Sequence, residues 1–275
     1  MHKNELVQNL PYIEEREEIC EACELGKQPR RSFPKHKAWR AEELLHLVHT
    51  DVCGPMKSES LNGSRYYILF VDDFSRFCWV YFMKLKSEVA DIFGTWLKLV
   101  ENQCEKKVKV LRSDNGTEYT SDKFKEFCED AGIEHQYTTV YTPQQNGVSE
   151  RKNRTIMEMA RCLLFEKKVP KMFWAELVNT ATYLLNRLPT RALDNKTPYE
   201  AMRGSKPSVQ HLKVFGSVCY SQVPKEKRAK LDEKAEIGVF MGYSSVTKGY
   251  RIYQPLSKKL IVSRDVKFDE SAGWN

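Results

Sequence analysis

Between Ser64 and Leu85 the chain reads SRYYILFVDDFSRFCWVYFMKL, two aromatic and β-branched runs separated by Asp72-Asp73-Phe74-Ser75. Side chains of this kind fill a pleated surface, and the polar break between the runs is turn-prone. The stretch predicts a hairpin with buried faces. Upstream, ELLHLVHTDVCGPM reads as an apolar strand ending at Asp51, with Gly54-Pro55 as the break. Three consecutive antiparallel strands are therefore expected, and such a sheet needs helices to cover it.

The period then switches. In SEVADIFGTWLKLVENQC, Val89, Ile92, Phe93, Trp96 and Val100 fall on one helical face, with Ser87 as N-cap. VKVLRSD predicts a short strand ending at Asp114, before the turn signal Asn115-Gly116. Ser121 caps a second helix with Phe124, Phe127 and Cys128 inward and Gly132 as the C′ residue. IEHQYTTVY is a fifth strand. A third helix begins near Glu150, with Ile156, Ala160, Leu163 and Leu164 at helical spacing. A fourth runs from Met172 to about Arg187 with Trp174, Leu177, Val178, Ala181, Leu184 and Leu185 on one core-facing stripe, and TPYEAM starts a short further helix at Pro198. The order is three strands, helix, strand, helix, strand, helix, which is an α/β arrangement around a mixed five-stranded sheet.

From about Lys206 the texture is all-β. VFGSVCYSQV, AEIGVFMGYSS, GYRIYQP and KLIVSRDVKF are short runs parted by turns and by the charged PKEKRAKLDEK. Between His211 and Glu270 stand 12 Lys and Arg against 7 Asp and Glu, so about +5 of the chain's net +7 lies here. Charge gathered in one module points to nucleic acid more strongly than an overall basic balance does. Three segments are expected: 1–38, 39–205 and 206–275.

Residues 1–38 are polar and short of core positions. EICEACELGKQPRRSF holds Cys20 and Cys23 at a spacing that suits two thiolates on one zinc. Such a site needs two more ligands, and only His2 and His36 lie near. The rest is a basic arm of Lys27, Arg30, Arg31, Lys35 and Lys37. The other six cysteines stand singly in helix-like or strand-like segments, which argues against a disulfide framework. No apolar run approaches the roughly 20 residues of a membrane span, and no signal-peptide core is present. A soluble, intracellular protein is expected.

Three acids stand at expected element ends: Asp51, Asp114 and Glu150. Parallel first and fourth strands would lie side by side, and a helix across their edge could bring Glu150 to the same point. Three ionised carboxylates there would repel by roughly 4 kcal/mol per pair at about 4 Å and an effective dielectric of 20. A hard divalent cation relieves this, and oxygen-only ligands select Mg²⁺ or Mn²⁺. Two such ions about 3.5–4 Å apart suit an in-line displacement at phosphorus without a protein nucleophile. The carboxylates should then converge within about 4–6 Å of one cation position. Each acid also has an ordinary reading, as turn residue, strand terminator or helix-dipole partner. Spacing adds to the case: 62 residues lie between Asp51 and Asp114, and 35 between Asp114 and Glu150.

HTDVCGP, VDDFSR, LRSDNGTEYTS and YTPQQNGVSERKNRT resemble the integrase core of LTR retrotransposons, specifically the copia type common in plants, with its D,D(35)E pattern. CEACELGK is similar to the second half of that family's N-terminal His-His-Cys-Cys finger. VFGSVCY, KAEIGVFMGYS, TKGYRIY and VSRDVKFDE are similar to its C-terminal region. The resemblance implies an RNase H-like core, an SH3-like C-terminal module, and Asp51, Asp114 and Glu150 as catalytic Mg²⁺ ligands. It implies transfer of a DNA strand, double-stranded DNA as partner, and a homo-oligomer assembled on that DNA. Action would be nuclear, after a cytoplasmic particle. Arg154, four residues beyond Glu150 on the same face, and Lys152 would reach phosphate. Gln145 and Asn146, in the loop, would touch DNA near the scissile bond. The finger's paired histidines have no counterpart here, so zinc at Cys20 and Cys23 is not implied, and a fragment of a longer polyprotein or a decayed insertion is expected. The rival expectation is a catalytically idle DNA-binding relic.

Overall fold

The computed structural model describes residues 39–138 and 146–273. The aromatic runs form the expected hairpin. β1 (Leu47–Cys53), β2 (Tyr66–Asp72) and β3 (Cys78–Met83) are successive antiparallel strands, with Asp51 opposite Leu69 and Phe70 opposite Trp79. Both acids of the turn serve structure. Asp72 accepts from Ser75 N and Oγ at 2.7 and 2.6 Å and from Leu45 N at 2.8 Å, while Asp73 accepts from Ala41 N at 2.9 Å.

α1 (Val89–Cys104) buries Val89, Phe93, Trp96, Leu97 and Val100. Ser87 is not its cap. It lies inside a 3₁₀ turn, Lys86–Glu88, where the Glu88 carboxylate reaches back to accept from Lys84 N and Leu85 N at 2.9 and 2.7 Å. β4 (Val110–Ser113) returns parallel to β1. Then come a single turn, α2 (Thr117–Thr120), and α3 (Asp122–Asp130), where one helix was expected. Ser121 precedes α3, but its hydroxyl donates to Glu118 O at 3.3 Å instead of capping the helix. β5 (Glu134–Tyr137) completes a sheet of order β3-β2-β1-β4-β5. α4 (Gly147–Glu166) and α5 (Trp174–Leu185) follow, and then α6 (Pro198–Arg203), where Thr197 Oγ1 accepts from Glu200 N at 3.1 Å.

Alternation along β2 divides the interior into two layers. Ile68 and Phe70 join α1, with Trp96 stacked on Phe70 at 4.2 Å between ring centroids. Tyr67, Leu69 and Val71 face the other way, into the cluster built by α4 and α5.

The C-terminal strands β6 (Ser217–Gln222), β7 (Ala235–Tyr243), β8 (Tyr250–Gln254), β9 (Lys259–Ser263) and β10 (Val266–Gly273) form a second, wholly antiparallel sheet of order β10-β6-β7-β8-β9. The described residues from Arg40 onward make one compact unit. α5 joins the two sheets: Trp174, Leu177 and Val178 share a cluster with Val239, Met241 and Tyr253. Arg251 donates to both oxygens of Glu176 at 2.7 and 2.6 Å, a bidentate pair. Gly242, at φ +131°, lies so close to Thr180 Oγ1 that a Cβ there would collide with it. Among the described residues no helix is long and apolar enough to cross a membrane.

Candidate active site

Asp51 lies on the central strand of the first sheet, between β2 and β4. The parallel register pairs His49 with Arg112. Two residues further along each chain stand Asp51 and, just past the end of β4, Asp114, so the register carries both acids toward the same end of the sheet. Asp114 is the first residue beyond β4 and turns back on the loop, its Oδ1 accepting from Gly116 N at 3.1 Å. Glu150 is in the first turn of α4. Asn153, three residues on and so on the same helical face, donates Nδ2 to Asp51 Oδ2 at 2.8 Å. Burial raises the Asp51 carboxyl to about 6; the charges of Asp114 and Glu150 push the same way, against the Asn153 hydrogen bond.

Asp51 therefore senses the other two acids, and the all-oxygen donor set of the three fits a hard divalent cation. Full convergence is not reached, because among the described residues no group of three His, Cys, Asp or Glu side chains is arranged to hold a metal ion. Asp114 and Glu150 are exposed to water. Like-charged exposed carboxylates lower their repulsion by keeping apart.

Residues 42–143 match the family described as integrase core domain, and 217–275 match the retroviral polymerase SH3-like domain. The chain is 48% identical, over 92% of its length, to the retrovirus-related Pol polyprotein from transposon TNT 1-94 of Nicotiana tabacum. The chain thus carries an integrase core domain and a retroviral SH3-like domain, and its relatives are retrovirus-related Pol polyproteins of plant transposons. The Pol polyprotein from transposon RE2 of Arabidopsis thaliana is 36% identical over 91% of the chain. The chain spans 19% and 17% of the length of these two relatives. A simian T-cell lymphotropic virus intasome solved in complex with PP2A regulatory subunit B56 gamma shares the fold, with a TM-score of 0.52 at 18% identity, covering 90% of this chain and 87% of that one.

Around these three acids the other expected contacts divide. Arg154 is exposed on α4. Lys152 is half-buried and lies near enough to Cys78 for its charge to oppose the rise that burial gives that thiol. Asn146 is not a surface finger. It is buried, and its Nδ2 donates to Thr50 O at 2.9 Å, fastening the start of α4 to β1 one residue from Asp51. Gln145, Cys20 and Cys23 lie outside the described residues.

Sequence reasoning missed Asn153 and a fourth acid, Glu118. The Glu118 carboxylate is buried and pairs with Lys86 Nζ at 2.8 Å. That hydrogen bond raises the Lys86 pKa, and the charge of Asp114 adds to it. Gly116 separates the two acids: a Cβ there would sit 2.8 Å from Glu118 Oε2 and 3.1 Å from Asp114 Oδ1. The signal was in DNGTEYT, where an acid follows the Asp-Asn-Gly turn by two residues.

Proposed function

We propose that this chain catalyses divalent-metal-dependent DNA strand transfer, in which the 3′-hydroxyl of an element's DNA end attacks a phosphodiester of target DNA. A new P–O ester bond forms as the old one breaks, and the proton of the attacking hydroxyl ends on the departing 3′-oxygen of the target, so no other reactant is consumed. The observation that carries this reading is the β1–β4 register beside the first turn of α4, with Asn153 on Asp51.

Asp51, Asp114 and Glu150 would hold the cation. Bound there, Mg²⁺ or Mn²⁺ supplies Lewis-acid polarisation of the phosphoryl group. Asn153 fixes one oxygen of Asp51 and opposes its protonation. Arg154 and Lys152 offer positive charge to the DNA backbone, and the basic C-terminal module extends that surface. Double-stranded DNA is the partner, with assembly of several copies on it.

A gel assay with a pre-cut DNA end and Mg²⁺ or Mn²⁺ tests the reading. Joined products are expected from the chain, with a fall of about 10³-fold or more in Asp114→Asn, the scale of losing a preorganised electrostatic group. Full joining by a folded Asp114→Asn chain would sink the mechanism. DNA binding indifferent to EDTA, without joined products, would leave the idle relic. Cleaved but unjoined products would mean a nuclease.

A further inference from the structure

A cavity of about 670 Å³ opens where α5 and the segment after it meet the β7–β8 turn, away from the acids of the first sheet. One wall is a rigid stack. Tyr183 and Tyr243 lie with ring centroids 4.4 Å apart and planes 18° from parallel, and the Arg187 guanidinium sits 3.4 Å above the other face of Tyr183. Tyr199 flanks Arg187 at 4.8 Å, and Arg187 Nη1 donates to Tyr183 O at 3.0 Å. The plane of this guanidinium is thus fixed, yet its Nε is buried and has no hydrogen-bond partner.

The opposite rim is the turn Ser244–Gly249. Ser244 Oγ accepts from Val246 N and Thr247 N at 3.3 and 3.1 Å, and Lys248 projects from this turn. Arg264 closes the edge, paired with its neighbour Asp265 at 3.3 Å. No carboxylate lines the cavity, and among the described residues neither Arg187 nor Lys248 has an acidic partner at ion-pair distance. His211 carries no negative charge in either protonation state, and its Nε2 is 2.6 Å from Tyr183 OH. Burying a guanidinium without a counter-charge is costly. The buried Nε is out of a ligand's reach, so a phosphate oxygen would meet the outer Nη2 of this fixed plane, which has no hydrogen-bond partner among the described residues.

We propose that this cavity is a phosphate-binding site, taking one backbone phosphate of a nucleic-acid strand, with Arg187 as the preset donor and Lys248 and Arg264 as the rim. Cationic ligands are repelled by Arg187, and the hydroxyl-rich turn suits an oxyanion. A strand is favoured over a free anion because the site opens on the module that carries the net +5. The strand as source rests on the DNA-handling reading above.

The test measures oligonucleotide affinity of the full chain by fluorescence anisotropy over a range of salt. Arg187→Lys keeps the charge but loses the planar edge; Lys248→Ala removes one exposed cation with little risk to folding. Each should weaken binding about tenfold, the scale of one lost specific contact. Lys248→Ala should also lower the salt slope by about 1. Lys258→Ala, on the β8–β9 turn, should change affinity less. Unchanged affinity in both cavity variants, or an equal loss in Lys258→Ala, overturns the site. Saturation by inorganic phosphate with no loss of oligonucleotide affinity in the variants overturns the strand as source. A chain that binds through this cavity yet joins no DNA leaves the inference standing while the integrase activity fails.

Discussion

Asp51 holds a carboxyl where burial, before any neighbouring charge, raises the pKa from 3.8 to about 6. The folded state therefore keeps the proton over a window in which the unfolded chain has lost it. Stability falls as pH rises from about 4 to about 6, and above that the whole deficit is present. Asp51→Asn removes the conflict. In EDTA at pH 7 it should raise stability by about 1–2 kcal/mol, less than the full shift because part of the group meets water. The gain should shrink toward pH 4. Chemical denaturation at the two pH values checks this, and a destabilised Asn variant would contradict it. Asp51, Asp114 and Glu150 could be singled out in the sequence as candidates because acids at element ends carry recognisable chemistry. Asn153 was not, since an amide among Arg and Lys on a helix resembles a solvated face.

The decisive contact between elements is α4 on β1. Asn146 ties the two together through Thr50 O, and its own Oδ1 is buried without a partner. Asn146→Ala would leave a buried carbonyl unpaired and should cost about 1–3 kcal/mol. Thermal unfolding reads the loss, and a variant with full stability but weakened DNA binding would return Asn146 to the role of a DNA contact. Its burial escaped notice because Gln, Asn and Gly in succession read as an open loop. The hairpin and α1 were legible for the opposite reason: continuous aromatic and β-branched runs broken by a turn, and a helical period, report what is covered. The single turn α2 is too short to show any period, so it went unread between the Asn115-Gly116 turn and the helix expected from Ser121.

At the scale of the molecule, the two sheets share α5. Gly242→Ala would force a side chain at φ +131° against Thr180, and should cost about 2 kcal/mol or more. Because the seam belongs to both sheets, calorimetry should show one transition moving down as a whole. A second transition, with the C-terminal module melting first, would contradict the shared core. The sequence marked the stripe of α5 as covered, but an apolar stripe does not say by what. Apolar packing, the Arg251–Glu176 pair and the Gly242 approach leave no flexible hinge at this seam. A double helix that touched both the acids and the basic module would have to do the bending itself. Preference among target sequences would then follow the stiffness of the duplex, with pyrimidine–purine steps yielding most easily.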